Sequence, residues 1–69
     1  MKTREYADGY IEKRTILENG EKKTKFFAQI DRPGFWYGPL RDTREEALAD
    51  GRRECESRGQ YVPCFGMEP

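Results

Sequence analysis

The chain has 69 residues, with 13 Lys and Arg balanced by 13 Asp and Glu, no His, two Cys, and 35% hydrophobic against 38% charged residues. A chain this short buries only about 60% of the surface its unfolded form exposes, which allows one thin-cored domain over 1–69 and excludes a second. Without His there is no imidazole acid–base chemistry, no Ser/His or Cys/His nucleophile pair and no His-containing zinc site.

No apolar run approaches the roughly 20 residues that span a bilayer, and Met1-Lys2-Thr3-Arg4-Glu5 leads into no apolar leader segment. The expectation is a soluble, cytoplasmic protein with no membrane partner. Cys55 and Cys64 lie nine residues apart and lack the companions that a four-thiolate site requires. No metal and no cofactor is expected, and a reducing compartment predicts two free thiols.

Residues 1–9 are polar, end in Asp8-Gly9 and show no apolar period, which predicts a flexible arm ahead of a core over 10–59. Tyr10 to Leu17 reads as a strand. Asn19-Gly20 follows, a pair suited to the type I′ turn because both central residues need positive φ. A second strand, about Lys22 to Asp31, pairs back antiparallel. Arg32-Pro33-Gly34-Phe35 fits a type II turn, and a short third strand runs from Phe35 to Leu40 with Pro39 marking its end. Asp42-Thr43-Arg44-Glu45-Glu46 opens a helix, Thr43 and Glu46 having capping-box spacing, and Gly59 stops it after Arg58. The tail, 60–69, holds Tyr61, Val62 and Phe65, apolar enough to pack back on sheet or helix. The fold class is α+β: a three-stranded antiparallel sheet packed on one C-terminal helix.

A two-residue turn sets Glu18 opposite Glu21, Arg14 opposite Lys25, Lys13 opposite Phe26, Glu12 opposite Phe27, Ile11 opposite Ala28 and Tyr10 opposite Gln29. Ile11, Phe26, Ala28 and Ile30 then share one face, extended by Trp36, Gly38 and Leu40. The helix offers this face Ala47, Leu48, Gly51 and Cys55, and its small residues leave room for Trp36 and Phe26. The opposite face carries Tyr10, Glu12, Arg14, Ile16, Lys23, Lys25, Phe27, Gln29, Phe35 and Tyr37. Either the tail folds over part of it, or an aromatic and basic sheet stands open as a binding surface. Arg14 opposite Lys25 is a like-charge pair that costs stability.

Charge is distributed unevenly. Tyr10 to Arg32 has six basic and four acidic residues, and Thr43 to Arg58 has four Arg and five acids. On the helix, Glu54 with Arg58 and Arg52 with Glu56 are spaced to pair.

Lys25-Phe26-Phe27-Ala28-Gln29-Ile30, then Trp36-Tyr37-Gly38, then Asp42-Thr43-Arg44-Glu45-Glu46-Ala47 resembles the AP2 DNA-binding domain, and in outline the N-terminal arm-binding domains of phage and transposon integrases. The resemblance spans about residues 10–58, with one extra residue between Gly38 and Asp42. It implies a sheet laid in the major groove, with Arg14, Lys25, Phe27, Gln29 and Arg32 facing DNA. Asp31-Arg32-Pro33-Gly34, Gly38 and Asp42 to Ala47 are also similar to HicB-type antitoxins, which implies a small domain covering a protein partner.

Two functions follow. The first is a small non-enzymatic nucleic-acid-binding accessory or regulatory protein, DNA being favoured over RNA, acting through Arg14, Lys23, Lys25, Phe27, Gln29, Arg32, Phe35 and Tyr37. The second is a protein-binding regulator or inhibitor using the same face, which balanced charge favours. No catalytic residue is expected, because Asp31 and Asp42 suit turn and cap positions. Size and resemblance suggest an accessory protein of a phage or mobile element.

Overall fold

The computed structural model describes residues 5–68. In chain order the elements are β1 (Glu5–Tyr6), β2 (Asp8–Glu18), β3 (Glu21–Arg32), β4 (Trp36–Tyr37), α1 (Arg44–Arg58) and β5 (Gln60–Tyr61), followed by a 3₁₀ turn (Pro63–Phe65). β2, β3 and β4 form the three-stranded antiparallel sheet in that order, and β1 pairs with β5 in a small parallel ladder.

Asn19 (φ 51°) and Gly20 (φ 79°) make the tight turn that their residue types favour. With the turn set, Glu18 opposes Glu21 and each expected pair from Arg14/Lys25 to Tyr10/Gln29 is realised. The register slips by one only at the far end, between Asp8 and Gly9. Gly34 takes φ 79°, as the Pro-Gly reading requires, while the Arg32–Pro33 peptide is cis.

The helix begins at Thr43, whose Oγ1 accepts from the Glu46 amide at 3.2 Å and donates to Glu46 Oε1 at 3.0 Å. It ends at Gly59, whose amide donates back to the Cys55 and Glu56 carbonyls. Glu54 pairs with Arg58 at 2.8 Å. Arg52 Nε donates to the Phe65 carbonyl at 2.6 Å, a tie between helix and tail that helical spacing does not reveal.

The core lies between the helix and the proximal half of the sheet. Ala28, Ile30, Ala47, Cys55, Val62 and Phe65 are fully buried, with Ile11, Trp36 and Leu48 packed at its border. The small helix residues do not mainly accommodate Trp36 and Phe26, as the sequence suggests. They seat Phe65: a Cβ on Gly51 would lie 2.6 Å from that ring and 3.0 Å from the Ala28 Cβ.

The tail therefore belongs to the helix side of the sheet. It does not cover the opposite face. The flexible-arm expectation is corrected for residues 5–9, and residues 1–4 lie outside the described residues. Glu5 donates to the Gly59 carbonyl at 3.3 Å, Ala7 donates to Tyr61 at 2.8 Å, and Ala7 and Gly9 are buried. Backbone pairing and two small residues hold this segment, which is why it shows no apolar period.

A bulge shapes the end of the sheet. Ile30 pairs with Trp36 and Gln29 with Tyr37, but Phe26 pairs with Arg41 rather than with Leu40. The one extra residue inverts side-chain parity. Arg41 is thereby turned to the helix side, where it grips buried Asp50 through two bonds of 2.7 and 3.0 Å. Leu40, expected on the core face, turns to the other side.

Gly51→Ala tests the packing. In an exposed helix it would stabilise by about 1 kcal/mol. Here it should destabilise by about 1–3 kcal/mol, read from urea unfolding, because the added methyl overpacks against Phe65. The penalty should shrink in a Phe65→Leu background.

Candidate nucleic-acid interface

The face away from the helix has a buried floor and exposed walls. Phe27, 7% exposed, lies at its centre because β3 is the middle strand and has a neighbour on each side. Arg14, on the adjacent strand, holds its guanidinium carbon 5.2 Å from the Phe27 ring centroid, a cation–π contact. Tyr37 meets Phe27 from β4 at 6.2 Å between centroids, and Phe35 stacks on Tyr37 at 6.3 Å with the rings 22° apart. Both outer rings are exposed.

These groups enclose an open groove of about 450 Å³ lined by Arg14, Phe27, Gln29, Tyr37, Gly38 and Leu40. Gln29 Nε2 donates to Asp31 Oδ1 at 2.6 Å. The Tyr10 hydroxyl titrates above its ordinary value, first because burial disfavours the phenolate and then because the Asp31 carboxylate repels the phenolate and accepts a hydrogen bond from the neutral hydroxyl.

Beside the groove, Lys25 donates to Asp42. The bond holds the ammonium form of Lys25 above its usual range, against a smaller desolvation effect. It holds the Asp42 carboxyl below its usual 3.8. The like-charge pair Arg14/Lys25 is thereby relieved, since Arg14 leans over Phe27 and Lys25 turns to Asp42.

Of the eight residues singled out in the sequence, Arg14, Phe27, Gln29 and Tyr37 line one groove, with Phe35 at its rim. Lys25 adjoins it but is engaged by Asp42. Lys23 lies farther out on the hairpin, paired with Glu18 at 3.4 Å, and Arg32 lies at the other end, paired with Asp8 at 3.3 Å. Leu40 is the lining side chain that strand alternation put on the wrong face. Its signal was Pro39, which interrupts the strand just ahead of it.

Beyond the groove the hairpin runs on alone. From Lys13 to Lys25 every residue except half-buried Ile16 and Lys25 is exposed, so neither helix nor tail covers this stretch on either face. It carries five basic residues against two acidic ones. The molecule is correspondingly elongated, 53 × 19 × 16 Å.

Cys55 is buried and Cys64 exposed, both as free thiols, and burial raises the Cys55 pKa. Among the described residues no three His, Cys, Asp or Glu side chains gather to hold a metal ion, and no helix is long and apolar enough to cross a membrane. Comparison of the chain with protein-family models, curated proteins and solved structures returns no match.

The Lys25–Asp42 pair makes a pH prediction. Asp42 has a lowered pKa in the fold, so its contribution to stability is present above about 3.8 and is lost as pH falls through the lowered value. Carboxyl NMR should show Asp42 titrating below 3.8, and Lys25→Met should return it toward that value. An unchanged Asp42 titration in Lys25→Met would mean that the pair does not persist in solution.

Proposed function

We propose that this chain is a small non-enzymatic nucleic-acid-binding protein that grips DNA with its basic hairpin and the open face of its sheet. The observation that carries this reading is the two-stranded ribbon from Lys13 to Lys25, solvated on both faces and basic although the chain as a whole is neutral. A long ribbon with no core to cover is costly to order and needs a reason outside the fold. The major groove of B-DNA, about 12 Å wide, admits a two-stranded β-ribbon. Lysines on both faces of such a ribbon reach the phosphates on either side. Helix charges do not oppose this, because the acid-rich helix lies on the far side of the sheet.

The likeness to AP2 and integrase arm-binding domains supports the same reading, with one modification. Lys25, which the resemblance would assign to DNA, is held by Asp42, so Lys13, Arg14, Lys22 and Lys23 carry more of the phosphate contact, Lys23 by exchanging its exposed pair with Glu18 for a phosphate. A protein partner is the second reading, favoured by the exposure of Phe35, Tyr37 and Leu40 around the groove.

The test is salt-dependent binding to a mixed-sequence duplex. Lys22→Ala/Lys23→Ala should weaken binding and flatten the slope of log K against log salt by about 1.8, two phosphate contacts at about 0.9 each. Wild type that binds no duplex at about 50 mM salt would sink the reading and leave the face to a protein.

A further inference from the structure

The ribbon accounts for the basic residues but not for the groove at its root. Binding along the outside of a duplex requires phosphate contacts and groove-edge contacts. It does not require two exposed, nearly parallel aromatic rings, Phe35 and Tyr37, beside a cavity of about 450 Å³. That volume lies within the range of small-ligand pockets. The parts differ in chemistry and converge. Phe27 forms an apolar floor, Tyr37 and Leu40 form apolar walls, and Gln29 brings an amide whose Nε2 is steered by Asp31. Arg14 sets a cation at the edge.

A flat heterocycle with hydrogen-bonding edges, joined to an anionic phosphate, matches this set. Its face would stack on Tyr37, its edge would meet the Gln29 amide, and its phosphate would lie toward Arg14. Base-on-aromatic stacking tolerates any sequence, because each base has a π-face. A stacked base must first leave its duplex, so the groove selects for nucleotides already unpaired.

Position adds the second constraint. From Arg14 to the turn at Asn19 the hairpin extends about 17 Å, at about 3.4 Å per residue. That is about five base pairs of duplex at 3.4 Å each. Resting on the nucleic-acid reading above, we infer that the groove holds one unstacked base of a strand that continues into the duplex gripped by the hairpin. The preferred target is then a junction between single-stranded and double-stranded DNA.

The experiment compares a blunt duplex with the same duplex carrying a single-stranded extension whose first unpaired base is 2-aminopurine, a fluorophore quenched by stacking. The wild-type protein should bind the extended duplex more tightly and quench it. Tyr37→Ala should lower affinity for the extended duplex roughly 5- to 140-fold and abolish quenching, a loss well beyond any it causes for the blunt duplex, so that the preference for the extended DNA disappears. Tyr37 is exposed, so its loss should leave the fold intact, which an amide NMR spectrum checks. Tyr37→Phe should behave like wild type.

Equal affinity of wild type, Tyr37→Ala and Phe35→Ala for both DNAs, with no quenching, would overturn the inference and leave the hairpin reading standing. Quenching of free 2-aminopurine deoxynucleoside monophosphate at the same protein concentration as the extended duplex would overturn the junction assignment in favour of a free nucleotide. Failure of every DNA to bind at about 50 mM salt would overturn the nucleic-acid reading and this inference together.

Discussion

The structure depends on where the ring of Phe65 goes. The helix presents mainly Ala47, Gly51 and Cys55 to the sheet, with Leu48 at the border, and the strand beneath offers Ala28. Two surfaces this flat would leave a gap if nothing lay between them, and a gap forfeits both dispersion and burial. Phe65 fills it, with Val62 and Met67 beside it in the same cluster. Val62 is followed by a short 3₁₀ turn, and Arg52 ties the Phe65 carbonyl to the helix. Because the tail is drawn to the helix side, the other face of the sheet stays bare. One packing demand thus settles both the core and which face stays open.

The second determinant is one extra residue after Gly38. A regular continuation of β4 would place Leu40 opposite Phe26, pointing at the helix, and Arg41 on the open face. The bulge reverses both. Arg41 gains a buried carboxylate partner in Asp50, which Arg53 of the same helix also reaches at 3.5 Å. Leu40 gains a place in the groove wall. The same shift brings Asp42 alongside Lys25, so that an acid lies next to the open face and engages one of its cations.

Electroneutrality is a poor summary of this protein. Its balanced charges are sorted by structure: basic residues prevail on the protruding hairpin, and acids prevail slightly along the helix. A partner approaching the hairpin meets local charge over distances comparable to the screening length, about 8–10 Å at physiological salt, and not the net value. The exposed rings at the hairpin root add a surface whose attraction does not depend on charge.

The hairpin, its register, the helix and both helix boundaries were legible in the sequence. Each rests on a local rule: Asn-Gly admits positive φ, Thr-x-x-Glu satisfies first-turn amides, and glycine closes the last turn. Register follows from the turn, so the faces of β2 and β3 were legible as well, and with them Arg14, Phe27 and Gln29 of the groove. What local rules could not supply were contacts between distant segments. The pairing of Glu5–Tyr6 with Gln60–Tyr61, Phe65 over Gly51, and Arg41 on Asp50 join residues whose neighbours in sequence say nothing of each other. Sequence alone determined the elements and the alternation of their side chains, because backbone sterics and hydrogen bonding act over a few residues. Tertiary structure decided which face the tail closes, which cations are engaged and where the groove lies, because those depend on filling one shared volume.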